Sequence, residues 1–162
     1  MSNANLKDRC KPMANNLKLM ALDADDLLVI SAYAQDSVLL SAEIEYDPKK
    51  GLLFLPINRF VWEAPSARRL FFKKYERRRS VLHFSKVSSL KSQGVDQGNS
   101  TEVQSLLSIT FSASEKDGDP GGQIQLNFGG GGGLMLEVEC IEAQLTDLGA
   151  AWKASSKPRH DV

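Results

Sequence analysis

The strongest chemical signal in the sequence is a basic segment that also carries aromatic residues. Seven cations lie within twelve residues, and two phenylalanines and a tyrosine lie between them. Cations neutralise phosphates and aromatic rings stack on unpaired bases, so this composition is typical of a surface for single-stranded nucleic acid or another anionic partner. The cations are Arg68, Arg69, Lys73, Lys74, Arg77, Arg78 and Arg79.

The charge distribution leaves a second interpretation of this segment open. Residues 61–100 hold nine basic and three acidic groups, whereas residues 101–162 hold four basic and nine acidic groups. The basic segment could therefore pair with the acidic part of the same chain, with its aromatic side chains in the core. No RNA-recognition signature decides between the two interpretations.

A second set of residues could form the pocket of an enzyme if the fold brought them together. Asn58, Arg59, Trp62 and His83 combine hydrogen-bonding groups, a cation and an aromatic ring, which is the usual make-up of a polar site in an apolar cleft. The chain has only two histidines, and neither has the motif of a catalytic triad or a metal site around it. We therefore expect no catalytic residues, no metal and no cofactor.

Five consecutive glycines, residues 129–133, could suggest a phosphate-binding loop. Such loops join a strand to a helix and need a Lys-Ser/Thr pair or spaced glycines, whereas this run separates two alternating apolar segments. The pattern predicts a hairpin turn between two antiparallel strands.

Period-two alternation elsewhere predicts about seven strands, with a change of face near Pro56 and a kink before Ser92. Asp23 is suited to cap an early helix that carries an apolar stripe. A second apolar stripe, at i, i+4 and i+7, predicts a C-terminal helix. The stripes are Leu27, Ile30 and Ala34 in the first helix and Ile141, Leu145 and Leu148 in the second.

These elements predict an α+β fold with one domain over residues 16–152, a flexible N-terminal tail at 1–15 and a C-terminal tail at 153–162. Short connections favour a mostly antiparallel bent sheet or barrel, similar to a pleckstrin-homology domain with an added early helix. The 162 residues are 42% hydrophobic and 25% charged, an ordinary globular composition. No apolar run approaches the roughly 20 residues of a membrane span, and no secretory signal is recognisable, so we expect a cytoplasmic protein.

The chain resembles the bacterial domain-of-unknown-function family DUF2948 over nearly its whole length, from Asn16 to His160. The resemblance implies a small bacterial cytoplasmic protein and no particular activity. The segments that carry it are Asp26–Val38, Asn58–Glu63, Leu82–Val87, Ser105–Ile109, Phe128–Gly131 and Leu136–Gly149, followed by Trp152 and Pro158.

Taken together, these features favour a non-enzymatic binding or adaptor domain with an unknown macromolecular partner. It would act through the basic segment or an exposed sheet edge. The alternatives are a binder of nucleic acid or another anion that uses residues 68–79, and an enzyme with an unrecognised pocket. The sequence also leaves homo-oligomerisation open.

Overall fold

The computed structural model describes residues 16–61, 76–149 and 152–153. This part of the chain contains one α-helix, one turn of 3₁₀ helix at Ser41–Glu43 and eleven strands. The α-helix, α1, is Ala24–Ala34. The strands are β1 Lys18–Ala21, β2 Ser37–Leu40, β3 Glu45–Asp47, β4 Leu52–Phe60, β5 Glu76–Phe84, β6 Val87–Gln93, β7 Val103–Ala113, β8 Gly122–Phe128, β9 Gly133–Val138, β10 Ala143–Asp147 and β11 Trp152–Lys153.

The strands form one antiparallel sheet in the order β1-β10-β5-β4-β2-β7-β8-β9-β6, with β3 beside β4 and β11 beside β5. The longest register joins β4 and β5 and runs from Leu53 opposite Phe84 to Phe60 opposite Arg77. Neighbouring pairs such as β10 with β5 and β7 with β8 are antiparallel as well. The predicted antiparallel sheet is confirmed, although the number of strands is higher than seven.

The predicted early helix is also confirmed. Asp23 caps α1 by accepting a hydrogen bond from the backbone N–H of Asp26, and Leu27, Ile30 and Ala34 are buried. The helix contacts β1, β10, β4 and β7. In a flat sheet β1 and β7, the outermost of these four strands, would lie roughly 24 Å apart, whereas a helix is only about 10 Å wide. The sheet must therefore curve around the helix.

One hydrophobic cluster fills the concave side of this curved sheet, with contributions from α1 and from strands β1 to β10. In β4 the residues Leu53, Leu55 and Ile57 are completely buried, and every second residue of β8 and β9 is buried as well. In the part of the chain that the structure describes, no helix is long and apolar enough to cross a membrane.

The predicted C-terminal helix is wrong. Residues 143–147 form β10, which pairs with β1 on one side and β5 on the other. Ile141 and Leu145 fit both a helical stripe and a strand alternation, and the strand pattern was hidden because its remaining inward positions hold the small Ala143 and the charged Asp147. Pairing of β10 with β1 and β5 on its two sides favours the strand over the helix that the local pattern also allows. A pleckstrin-homology-like topology, which needs that helix, is not what the described residues form.

The expected change of face at Pro56 does not occur either. The alternation of β4 continues without interruption, so that Arg59 occupies the inward position after Ile57 and Phe60 lies outside. The kink between β5 and β6 is confirmed, with Lys86 at a φ of 58°. The glycine run is confirmed as the turn between β8 and β9.

Candidate functional site

Three consecutive arginines on β5 point to opposite faces of the sheet. Because side chains alternate along a strand, Arg78 lies inside with 8% of its surface exposed, whereas Arg77 and Arg79 lie on the outer face and are half-buried. The other predicted cations, Arg68, Arg69, Lys73 and Lys74, lie outside the described residues. The basic segment of the sequence therefore contains at least two environments.

The inner environment is a charged network centred on Asp147. Its carboxylate accepts hydrogen bonds from Arg59 Nε and Nη2, both at 2.8 Å, and from Arg78 Nη1 at 3.3 Å. Ser80 Oγ donates at 2.6 Å and the backbone N–H of Leu17 at 2.9 Å. These contacts connect β4, β5 and β10 with the residue that precedes β1.

The network keeps Asp147 ionised although it is buried. Burial opposes the charge of the carboxylate, but the hydrogen bonds from Arg59, Ser80 and the Leu17 N–H outweigh it and lower the pKa from 3.8 to about 2. The Arg59 side chain has no exposed surface and also donates to the carbonyl oxygen of Phe60 at 3.2 Å. With its donors committed in this way, Arg59 is suited to hold strands together rather than to bind a ligand.

The outer face of β4 and β5 carries the other two arginines beside polar and aromatic partners. The Arg77 guanidinium lies 3.8 Å from the centre of the Phe60 ring, its cross-strand neighbour. Arg79 donates to Asn58 Oδ1 at 3.3 Å and to Glu43 Oε2 at 2.8 Å. Burial lowers the pKa of Arg77 and the charge of Asp36 opposes this, which leaves the guanidinium charged at neutral pH.

Further along the same face, His83 and Phe54 form a parallel stack. Their ring centres are 4.5 Å apart and their planes differ by 2°. Burial lowers the pKa of His83 from 6.5, against the opposing charge of Glu142, so the imidazole is neutral at pH 7. His83 Nε2 lies 3.5 Å from Ser85 Oγ. Three aromatic rings and two cations thus occupy the outer face of β4 and β5.

The four residues considered for an enzyme pocket are not brought together as a group. Arg59 points into the core, whereas Asn58 and His83 lie on the outer face. His83 pairs with Phe54, which is four residues from Asn58 along β4, or roughly 13 Å. Trp62 lies outside the described residues.

Sequence reasoning missed Asp147 as the partner of Arg59, and Ser80 as a further donor to Asp147. A usable signal was present, since Arg59 follows Leu53, Leu55 and Ile57 in the buried phase of its strand. A charged residue in such a phase indicates a buried ion pair, and Asp147 occupies the same kind of position after Leu145. Within the described residues, no group of three or more His, Cys, Asp or Glu side chains could hold a metal ion.

A comparison with protein-family models gives one match, over residues 17–160, to the family described as "Protein of unknown function (DUF2948)". No curated protein and no solved structure matches the chain. The matched range contains all the strands, the helix, the buried network and the outer face of β4 and β5. The chain therefore belongs to the DUF2948 family.

Proposed function

We propose that this chain is a non-enzymatic, cytoplasmic binding domain and that the outer face of β4 and β5 binds single-stranded nucleic acid. The observation that carries the proposal is the order of side chains on that face. The cross-strand rows are Phe60 with Arg77, Asn58 with Arg79, Pro56 with Val81, and the stacked Phe54 with His83.

This order suits a flexible polyanion. Rows on one face of a strand repeat about every 7 Å, so the face offers cations and ring surfaces along roughly 20 Å. Cations neutralise phosphates, and exposed rings provide stacking surfaces that accept any base. The face therefore supplies both groups that single-stranded nucleic acid binding requires.

The present partners of the outer arginines do not prevent such binding. Arg79 has 33% of its side chain exposed and Glu43 has 36%, and an ion pair with that exposure is worth less than about 1 kcal/mol. A phosphate could replace the carboxylate at little cost. In the sequence, Arg68, Arg69, Lys73 and Lys74 lie in the segment between β4 and β5, whose one acidic residue is Glu63.

A binding role fits the described side chains better than catalysis. Arg59 is the charged residue of β4, and it is completely buried and hydrogen-bonded to Asp147. His83 is stacked on Phe54, and its hydrogen-bond contact is the Ser85 hydroxyl at 3.5 Å, with no carboxylate bonded to the ring to orient it as a base among the described residues. We therefore favour a surface that binds and holds a partner.

The test is the affinity of the purified protein for a short fluorescein-labelled single-stranded RNA of mixed sequence, measured by anisotropy at several salt concentrations. We expect binding that weakens steeply with salt. Arg77→Glu combined with Arg79→Glu should weaken it by about tenfold or more, because two cations become anions. The matched control reverses Lys49 and Lys50, which lie exposed in the turn before β4.

Two results would overturn the proposal. One is the absence of RNA binding at low salt. The other is an equal loss of affinity in the Lys49→Glu, Lys50→Glu control, which would show that net charge alone matters. If the protein instead captures a folded protein partner through the same arginines, the surface is correct but the nucleic-acid assignment is wrong.

A further inference from the structure

A cavity of about 250 Å³ that is open to solvent lies beside the glycine turn, on the outer face of β6, β9 and β8 and away from the outer face of β4 and β5. Two cross-strand rows contribute to it. Lys91, Met135 and Gln125 form one row across β6, β9 and β8, and Gln93, Gly133 and Asn127 form the next. Residues 131 and 132 of the turn complete this part of the lining.

The glycines of the turn are required by the shape of this region. Gly130 and Gly131 have φ values of 84° and 89°, which side chains of L-residues rarely adopt. A Cβ on Gly132 would come within 2.8 Å of the carbonyl oxygen of Gln93, and one on Gly133 within 2.4 Å of that of Leu126. Residue 133 therefore contributes no side chain between Gln93 and Asn127.

The polar groups around the cavity are one ammonium, one hydroxyl, three side-chain amides that each donate and accept, and backbone N–H groups. Lys91 is the only charged residue in the lining, and no carboxylate faces it there. Gln93, Gln125 and Asn127 contribute side-chain amides, of which Asn127 Nδ2 already donates to Ser108 Oγ at 3.0 Å. Across the described part of the chain, the N–H groups of Gly131 and Gly132 donate to no acceptor, and Lys91 is in no ion pair.

We infer that this cavity binds a small organic anion. Its phosphate or carboxylate group would pair with Lys91 and accept hydrogen bonds from glycine N–H groups, and its carbon skeleton would lie against Met135. The volume suits a ligand of a few carbon atoms and is slightly below the usual range for drug-sized molecules. Backbone N–H groups of glycine-rich turns and a lysine ammonium are groups that commonly hold oxyanions.

This inference is independent of the nucleic-acid surface. The glycine turn remains a hairpin turn and not a phosphate loop at a helix start, because it leads from β8 into β9. The anion would lie on the outer face of the β6–β9–β8 sheet, with the lysine supplied by the edge strand β6. Loss of the outer arginines of β5 should leave this site unchanged.

The test is a titration of the ¹⁵N-labelled protein followed through the backbone amide signals of Gly131, Gly132 and Met135. The probes are inorganic phosphate and succinate, with sodium chloride at equal ionic strength as the reference. We expect saturable shifts with a dissociation constant in the millimolar range for at least one probe. Lys91→Met should weaken binding by about tenfold, since it keeps the length of the side chain and removes its charge.

Lys116→Met is the matched control, because Lys116 is exposed in the β7–β8 connection and outside the lining. Saturation by phosphate alone or succinate alone supports the site and decides which oxyanion it prefers. The inference is overturned if sodium chloride causes the same amide shifts as the two probes. It is also overturned if the probes cause the same shifts in Lys91→Met and Lys116→Met. Spectra of both variants also show whether each remains folded.

Discussion

The inner and outer faces of the β4–β5 pair use the same residue type in opposite ways. On the inside, Arg59 and Arg78 share one carboxylate, and Asp147 has only 5% of its surface exposed. On the outside, Arg77 covers a phenyl ring and Arg79 makes a partly exposed ion pair. A shift of one residue along β5 thus separates a structural arginine from a candidate binding arginine.

The energetic difference between the two faces follows from water. A buried ion pair has lost its hydration, so removal of one partner leaves a buried charge that nothing compensates. An exposed pair exchanges one polar neighbour for another at little cost. The comparison predicts large stability effects on the inside and small ones on the outside.

The largest effect is expected for Asp147→Ala. This change removes the acceptor of five hydrogen bonds and deprives two buried guanidinium groups of the carboxylate that they share. We expect a loss of about 3–5 kcal/mol in the free energy of unfolding, measured by urea denaturation. Asp117→Ala, at an exposed turn, is the control and should change stability by less than about 0.5 kcal/mol. A loss below about 1 kcal/mol for Asp147→Ala would contradict the structural role of the network.

The next comparison uses neighbouring arginines of identical chemistry. Arg78→Met removes a charged hydrogen bond at 3.3 Å while Arg59 continues to hold Asp147, so we expect a loss of about 1.5–3 kcal/mol. Arg79→Met removes an exposed pair and should cost less than about 0.5 kcal/mol. The stability of both variants is measured by thermal and urea unfolding. Equal losses would mean that the inward or outward position along β5 does not decide whether an arginine is structural.

How much of this comparison the sequence predicts depends on the kind of signal. The helix and the glycine turn have local signals, a cap with an apolar stripe and a run of residues that tolerate positive φ, and both are confirmed. The network has only an indirect local signal, a charged residue in the buried phase of its strand. The pairing itself cannot be seen locally, because Arg59 and Asp147 are 88 residues apart in the sequence. β10 was missed for the same reason, because the buried Asp147 occupies a position where the alternation would need an apolar residue. Periodicity detects strands with apolar inner faces and fails where the inner face is charged.

Acid should weaken the buried network in which Arg59 and Arg78 bind Asp147. The folded-state pKa of Asp147 lies below its usual value, so its contribution to stability is complete above about pH 4 and is lost as the pH falls toward 2. The shift from 3.8 to about 2 corresponds to about 2 kcal/mol. Other carboxylates also titrate in this range, so the measurement is the difference between the wild-type chain and Asp147→Asn in unfolding free energy at several pH values. If that difference does not narrow between pH 4 and 2, the ionised carboxylate is not what the arginines recognise.

A small effect on stability is also expected on the outer face at the stack of Phe54 and His83. Phe54→Leu keeps an apolar side chain but removes a ring pair worth about 0.5–1.5 kcal/mol, and partial exposure places the expected loss at the lower end. His83→Phe is the matched variant, because it preserves a stack while it removes the imidazole. If bases stack on this face, Phe54→Leu should weaken RNA binding by about 1–3 kcal/mol and His83→Phe by much less. The comparison fails if Phe54→Leu destabilises the fold as much as Asp147→Ala does, because the outer face would then also be structural and could not be assigned to binding.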